Sequence, residues 1–339
     1  MNLQKGTYLQ GNKYQIIDIL GQGGFGTTYL AFQHGLNRKV AIKEFFMKDF
    51  CQRGEETTIV TMGTDSSRDM VAQFKKKFIK EAQTIAGLND NHIIRIHDIF
   101  EENATAYYVM EYIEEGDLLK RIPEGGMREY DAIKTIQQVA DALYYIHNHN
   151  ILHLDIKPSN ILFRKKDELV IIDFGISKHY DEEKGSQTSS TPIGISEGYA
   201  PLEQYEIGGV KDFSPATDIY SLGATLYHLL SGKCPPSASR IINKGLPALP
   251  ERITQQTKNA ITKAMSFRQD NRPQTVAEFM QLLPGLYGNA PRENVQQELD
   301  KKKVTANNLN EDSTFDNIRR WAIGICIIML IGLSIIIFS

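Results

Sequence analysis

The sequence predicts an α+β fold, one domain with a strand-rich N-terminal part and a helical C-terminal part, followed by a polar linker and one apolar helix. Three observations carry this. Across residues 14–286 apolar residues recur throughout, first in short alternating runs between turn residues and later in longer helical patterns. Across residues 287–320 Gly, Asn, Pro, Gln and charges dominate, and the isolated apolar residues cannot bury enough surface to offset ordering entropy, the signature of a flexible linker. Residues 321–338, WAIGICIIMLIGLSIIIF, contain no charge. As a helix they would span roughly 27 Å, close to the ~30 Å hydrocarbon thickness of a bilayer.

Composition narrows the possibilities. The 339 residues suffice for one large two-lobed domain or two ordinary ones, and 41% hydrophobic with 23% charged residues is globular. Basic (38) and acidic (41) residues nearly cancel to a formal charge of −3, so no nucleic-acid partner is expected and any anionic ligand must be held locally. Cys51, Cys234 and Cys326 are scattered and lack CxxC spacing, which argues against a disulfide framework or a zinc site. The N-terminus lacks the basic-then-apolar pattern of a secretory signal, so a reducing cytosol is the expected home of Cys51 and Cys234.

Taken in chain order, the first chemical signal is Gly21, Gly23 and Gly26 in G-Q-G-G-F-G. This spacing could open a dinucleotide-binding βαβ unit, but that would need a helix directly afterwards. Here the continuation alternates as strands do, so the glycines are expected at a hairpin tip lying over phosphates. Lys43 closes V-A-I-K inside an apolar strand pattern, where a buried ammonium needs an anion. Glu81 sits beside the helical stripe Phe74, Phe78, Ile85 and Leu88 and could face Lys43; a solvated surface Glu is the plainer alternative. The strongest signal is H-L-D-I-K-P-S-N-I-L-F at 153–163, followed by I-I-D-F-G at 171–175. Phosphoryl transfer needs an oriented nucleophile, divalent ions and cations over developing charge. Asp155 can accept or orient a hydroxyl proton, Lys157 can neutralise a γ-phosphate, and Asn160 and Asp173 offer hard oxygens suited to Mg²⁺.

These motifs, in this order, resemble the eukaryotic-type protein kinase superfamily, and more closely its bacterial membrane-anchored serine/threonine members, over residues 14–286. The resemblance implies a two-lobed kinase fold, with an N-lobe at about 14–112, a C-lobe at about 113–286 and ATP in the cleft. It implies that Gly21, Gly23 and Gly26 cover the phosphates, that Lys43 binds them and pairs with Glu81, and that Asp155 is the catalytic base with Lys157 beside it. Asn160 and Asp173 would hold Mg²⁺, with Mn²⁺ as an alternative ion. Met110 would be the gatekeeper, with the backbone of Glu111 and Ile113 meeting adenine. Lys157 points to the serine/threonine branch, hence to protein substrates carrying Ser or Thr and to autophosphorylation. Asp218 would brace the catalytic loop, and Arg272 would pair with the glutamate closing the activation segment.

Four departures stand out. Leu154 replaces the usual Arg before the catalytic Asp, Glu203 falls one place later than in A-P-E, and Thr28 replaces a valine over adenine. The polar span around Cys51 to Asp69 predicts an extra hairpin or loop.

Other features carry less. His147, His149 and His153 suggest a metal cluster, but the motif register already gives His153 a packing role. Thr188, Ser189, Ser190 and Thr191 read equally as phosphorylation sites or as solvated loop. Gly324 and Gly332 do not form GxxxG, so no helix-dimer face is indicated. A buried core helix is the alternative for 321–338, but the segment follows a polar stretch and precedes only Ser339. Lys301, Lys302, Lys303, Arg319 and Arg320 precede the apolar segment and no charge follows it, which predicts a cytoplasmic kinase domain on a C-terminal anchor. The competing functions are a pseudokinase serving as a membrane-anchored nucleotide-binding scaffold, a structural adaptor, and a small-molecule kinase. The intact set Lys43, Glu81, Asp155, Asn160 and Asp173 weighs against the first two, and the long 176–203 segment, suited to a peptide, against the third.

Overall fold

Strands come first and helices later in the computed structural model, which describes residues 2–24, 26–62, 65–174, 178–179, 195–205 and 213–285. The N-terminal strands are β1 (Tyr8–Leu9), β2 (Tyr14–Gln22), β3 (Gly26–Gln33), β4 (Arg38–Phe45), β5 (Cys51–Gln52) and β6 (Thr61–Met62). Helix α1 (Asp65–Ala86) follows, then β7 (Ile96–Glu102) and β8 (Thr105–Glu111). The second half holds α2 (Glu129–His147), β9 (Ile151–Leu152), β10 (Ile161–Lys165), β11 (Glu168–Ile171) and β12 (Lys178–His179). Helices α3 (Pro215–Ser231), α4 (Ala238–Lys244), α5 (Gln255–Ala264) and α6 (Val276–Leu282) complete it.

Six antiparallel strands form one sheet in the order β1-β2-β3-β4-β8-β7. Strand β8 shows why it holds. Successive side chains point to opposite faces, so Tyr107 and Val109 join Tyr14, Tyr29, Val40 and Ile42 on the outer face. Tyr108 and Met110 join Ala82 and Ile85 of α1 on the other. Phe78 of α1 seals that layer, its ring centroid 4.9 Å from Tyr108 and 5.6 Å from Phe45. The inward stripe read from the sequence is the face that packs.

The helical half is built around α3, whose residues 216–230 are all buried, as befits a helix surrounded by others. Ser214 caps it through a reciprocal box with Thr217, and Gly232 ends it at φ 72°. A Cβ on Gly232 would lie 2.7 Å from the Gly126 nitrogen, so close approach as well as handedness requires glycine there. The amphipathic α2 turns Ile133, Ile136, Ala140 and Leu143 toward it.

The span after β4 forms the expected hairpin, β5 against β6. It is fastened from within. Arg53 reaches back to the carboxylate of Glu44, which is 1% exposed and also accepts from Tyr29 (2.8 Å) and Tyr107 (2.6 Å). Burying such a pair is costly unless its remaining polar atoms are bonded, and here Arg53 Nε also donates to the Thr58 carbonyl at 2.8 Å.

The described residues up to 285 belong to one compact unit. The linker 287–320, the apolar segment 321–338 and the hydroxyl run 188–191 lie outside the described residues. Among the described residues no helix is long and apolar enough to cross a membrane.

Candidate active site

The β2–β3 hairpin brings the glycines together. Gly21 pairs with Thr28 across it, and the Gly23 amide donates to the Gly26 carbonyl at 2.8 Å. A Cβ on Gly26 would fall 2.0 Å from the Glu44 carbonyl oxygen, so β3 can lie this close to β4 only with glycine at that position. Phe25 is outside the described residues. Lys43 is adjacent to Glu44 on β4, and strand alternation sends Glu44 into the outer cluster and Lys43 to the opposite face.

Lys43 Nζ lies 2.7 Å from Asp173 Oδ1. Burial alone would lower the ammonium's pKa, but Asp173 first, then Tyr108 and Glu81, outweigh it and hold it well above its ordinary value. Asp173 stays below the usual carboxylate range because Lys43, helped by Lys157, overcomes the opposing effect of burial. The resemblance placed Lys43 against Glu81, and here the geometry differs: among the described residues Glu81 makes no ion pair, and the ammonium sits on Asp173. Burial pushes Glu81 up to about 7 against the pull of Lys43.

The catalytic loop is held from below by Asp218 of α3, a carboxylate with no solvent exposure. It accepts from the amides of His153 (2.9 Å) and Leu154 (2.7 Å), and His147 Nε2 lies 2.8 Å away. Burial opposes its charge, yet these donors hold its pKa below the ordinary value. His153 is kept neutral by burial; Nδ1 accepts from the Asp155 amide at 3.2 Å, so Nε2 carries the proton toward the Ile172 carbonyl, 3.1 Å away. With His149 Nδ1 on the Tyr145 carbonyl at 2.8 Å, all three histidines have structural partners. Among the described residues no cluster of three or more His, Cys, Asp or Glu could hold a metal ion.

Two residues of this loop system adopt left-handed backbone, Leu154 at φ 63° and Asp173 at φ 53°. For non-glycine residues this costs on the order of 1–3 kcal/mol each, and it persists only where surroundings enforce it. Asp155 thereby presents its carboxylate to three neighbours. Lys157 Nζ donates to Oδ2 at 2.8 Å, Asn160 Nδ2 donates to Oδ2 at 2.8 Å and to the backbone carbonyl at 2.9 Å, and Ser196 Oγ donates to Oδ1 at 2.5 Å. Lys157 also donates to Ser196 Oγ at 2.7 Å. Ser196 was not singled out from sequence; it lies 41 residues from Asp155 with no motif of its own, and only the chain's return brings it there.

A divalent cation fits the donor set. Asn160 uses its amide nitrogen on Asp155 and Asp173 uses Oδ1 on Lys43, so Asn160 Oδ1 and Asp173 Oδ2 are hard oxygens that accept no hydrogen bond among the described residues.

At the far end of the cleft, β8 ends in Met110 and Glu111. The Glu111 amide donates to the Arg95 carbonyl at 3.0 Å, while its carboxylate is gripped by Arg164 of β10. The Ile113 amide donates to no protein group among the described residues, which suits a ligand acceptor there. Farther from the cleft, Glu203 and Arg272 form a two-pronged pair at 2.6 and 3.1 Å. The extra residue in G-Y-A-P-L-E-Q is taken up by a 3₁₀ turn, Leu202–Gln204. Leu154, where a cation was expected by resemblance, is 4% exposed and packs with Leu152 and Phe213.

The strand-rich and helical lobes, with a lysine, two aspartates and an asparagine between them, define a phosphoryl-transfer architecture. Residues 14–293 match the protein kinase domain, and the chain belongs to that family. It is 32% identical over 283 residues to a probable serine/threonine-protein kinase of Clostridium perfringens, covering 80% of this chain and 38% of the relative. It is 30% identical over 284 residues to the serine/threonine-protein kinase PknB of Mycolicibacterium smegmatis, covering 79% and 42%. The chain thus spans about two fifths of the length of these relatives. Among solved structures it resembles the apo form of PpkA-294, with a TM-score of 0.67 and 27% identity over 84% of this chain and 99% of the other.

Proposed function

We propose that this chain is a protein serine/threonine kinase that moves the γ-phosphate of ATP to Ser or Thr hydroxyls of proteins, itself included. One observation carries the reading: Asp155 and Lys157 jointly hold the hydroxyl of Ser196, at 2.5 and 2.7 Å, so this corner of the site accommodates an aliphatic alcohol. A substrate hydroxyl entering there would meet Asp155 as proton acceptor and orienter. Lys157 would offset charge on the moving phosphoryl group, and Lys43 that on the α- and β-phosphates. Gly21, Gly23 and Gly26 would cover the phosphates, and the backbone of Glu111 and Ile113 would meet adenine. Asn160 and Asp173 would hold Mg²⁺, or Mn²⁺ in its place, which when bound would offset phosphate charge. Glu81, buried where its carboxyl acts on Lys43, would be a second anionic partner for that ammonium in the active enzyme.

The same proposal includes anchorage. The uncharged run 321–338 and the basic residues before it support a single C-terminal membrane helix with the kinase domain on the cytoplasmic side. Protease added to intact cells should spare the kinase domain, and digestion there would reverse the orientation. For activity, the test is incubation with labelled ATP and Mg²⁺ followed by phosphosite mapping by mass spectrometry. Label on Ser and Thr is expected; an unlabelled protein that still binds ATP would favour the scaffold reading.

A further inference from the structure

Arg164 is a heavily engaged cation near the cleft, and among the described residues neither the glycine hairpin, the catalytic loop nor the metal-binding pair uses it. It projects from β10 with its side chain only 14% exposed. Nε donates to Glu111 Oε2 at 3.0 Å, and Nη2 closes the second prong on Oε1. The same Nη2 lies 3.3 Å from the Ile93 carbonyl, while Nη1 donates to the Asn91 carbonyl and, at 3.0 Å, to Glu168 Oε1. One guanidinium therefore joins the last residue of β8, the loop between α1 and β7, and the β10–β11 hairpin.

These parts are independently tied into one frame. The Leu118 amide donates to the Ile161 carbonyl at 2.8 Å and the Phe163 amide to the Gly116 carbonyl at 3.0 Å, so β10 runs hydrogen-bonded beside the chain leaving β8. The Ile171 amide donates to the His92 carbonyl at 2.8 Å, fastening the α1–β7 loop to β11. The Arg95 amide donates to Glu111 Oε1 at 3.0 Å, so the Glu111 carboxylate is also held from β7's side. With Arg164 in place, Glu111 has no slack: both carboxylate oxygens and its amide are occupied.

We propose that Arg164 is a positioning residue for nucleotide binding, a clamp that fixes Glu111 and hence the backbone of residues 111–113 against the adenine base. This rests on the kinase reading, because it is adenine recognition that places the base at that backbone. The planar fork matters. Lysine could keep one contact to Glu111 but could not span both carboxylate oxygens and the two loop carbonyls together. The clamp touches only the adenine end, so its loss should weaken every adenine-bearing ligand equally and leave the phosphoryl-transfer end intact.

The test compares wild type, R164K, R164M and the double variant E111Q/R164M in the full-length protein, because R164M alone leaves a buried carboxylate without its partner. Measured are KM for ATP, kcat at saturating ATP on casein, and the affinity of adenosine, which carries no phosphate. For R164M and the double variant we expect KM for ATP and Kd for adenosine to rise in parallel by about tenfold, with kcat within about threefold of wild type. R164K should fall between. Unchanged KM and adenosine affinity in any folded variant lacking Arg164 would overturn the proposal. So would a fall in kcat at constant KM, which places Arg164 in the chemistry instead, and so would unfolding of all three variants, which makes Arg164 structural. A wild type that binds adenosine and ATP without transferring phosphate refutes the kinase reading instead, and the adenosine arm still decides the clamp.

Discussion

Replacing Asp218 with Asn tests whether the catalytic loop is braced from α3. The carboxylate takes the Leu154 amide on Oδ1 and both the His153 amide and His147 on Oδ2. An asparagine keeps one acceptor oxygen but turns an NH₂ group toward a backbone donor, losing a charge-assisted bond and leaving a buried N–H facing a donor. A hydrogen bond to a charged group contributes about 1.5–3 kcal/mol, and an unsatisfied buried donor costs on the order of 1–3 more. A loss of about 3 kcal/mol in a domain of this size lowers Tm by roughly 6–12 °C. Function should suffer separately. Leu154 holds its left-handed backbone at φ 63° only while both amides are gripped, and its relaxation would move Asp155. Displacement of a reacting group by about 1 Å can cost 10²-fold, so D218N should lower kcat by about 10–100-fold while KM for ATP, set by the other end of the cleft, stays within about threefold. Thermal shift and steady-state kinetics read both. A variant with wild-type kcat and a Tm within about 2 °C would refute the brace.

Two further outcomes follow from the electrostatics and packing. Glu81 is pushed up to about 7 in a setting that faces Lys43 and Asp173, so the folded state favours its protonated form and its ionisation withdraws stability as pH rises from the ordinary value of 4.5 toward 7. Glu81→Gln should flatten this slope in denaturant titrations and remove the rise in activity over roughly pH 6–8 that forming the Lys43 pair would give; an unchanged profile would exclude Glu81. Leu154 is buried with Leu152 and Phe213, so no cation there awaits an activation-loop phosphate. Replacing Thr188, Ser189, Ser190 and Thr191 together with Ala should leave activity on an exogenous substrate intact, and a loss of about a hundredfold or more would reinstate a phosphate switch.

What could be read from sequence was what is local. Lys43, Asp155, Lys157, Asn160 and Asp173 sit in short motifs because the groups proposed for phosphoryl transfer come from strand ends and one loop, where spacing along the chain tracks spacing in the site. The order of strands and helices was legible for the same reason, through periodicity. Long-range partners were not. Ser196 and Arg164 carry no pattern of their own, since a lone Ser and a lone Arg look like solvated surface until the chain brings Asp155 and Glu111 to them. Glu44 gave no sign of burial, because its compensation comes from Tyr29, Tyr107 and Arg53 in three other segments. The Lys43 ammonium lies on Asp173 instead of Glu81, a choice between two carboxyl groups that no linear spacing encodes.

The proposed chemistry turns on Asp155. The direct measurement is single-turnover phosphoryl transfer to a Ser- or Thr-containing protein by wild type and Asp155→Asn, with ATP binding determined in parallel. Removing a positioned proton acceptor costs typically 10²–10⁴-fold, so the variant should bind ATP as wild type does and transfer phosphate slower by that factor. Equal rates in the two proteins would contradict the proposed mechanism.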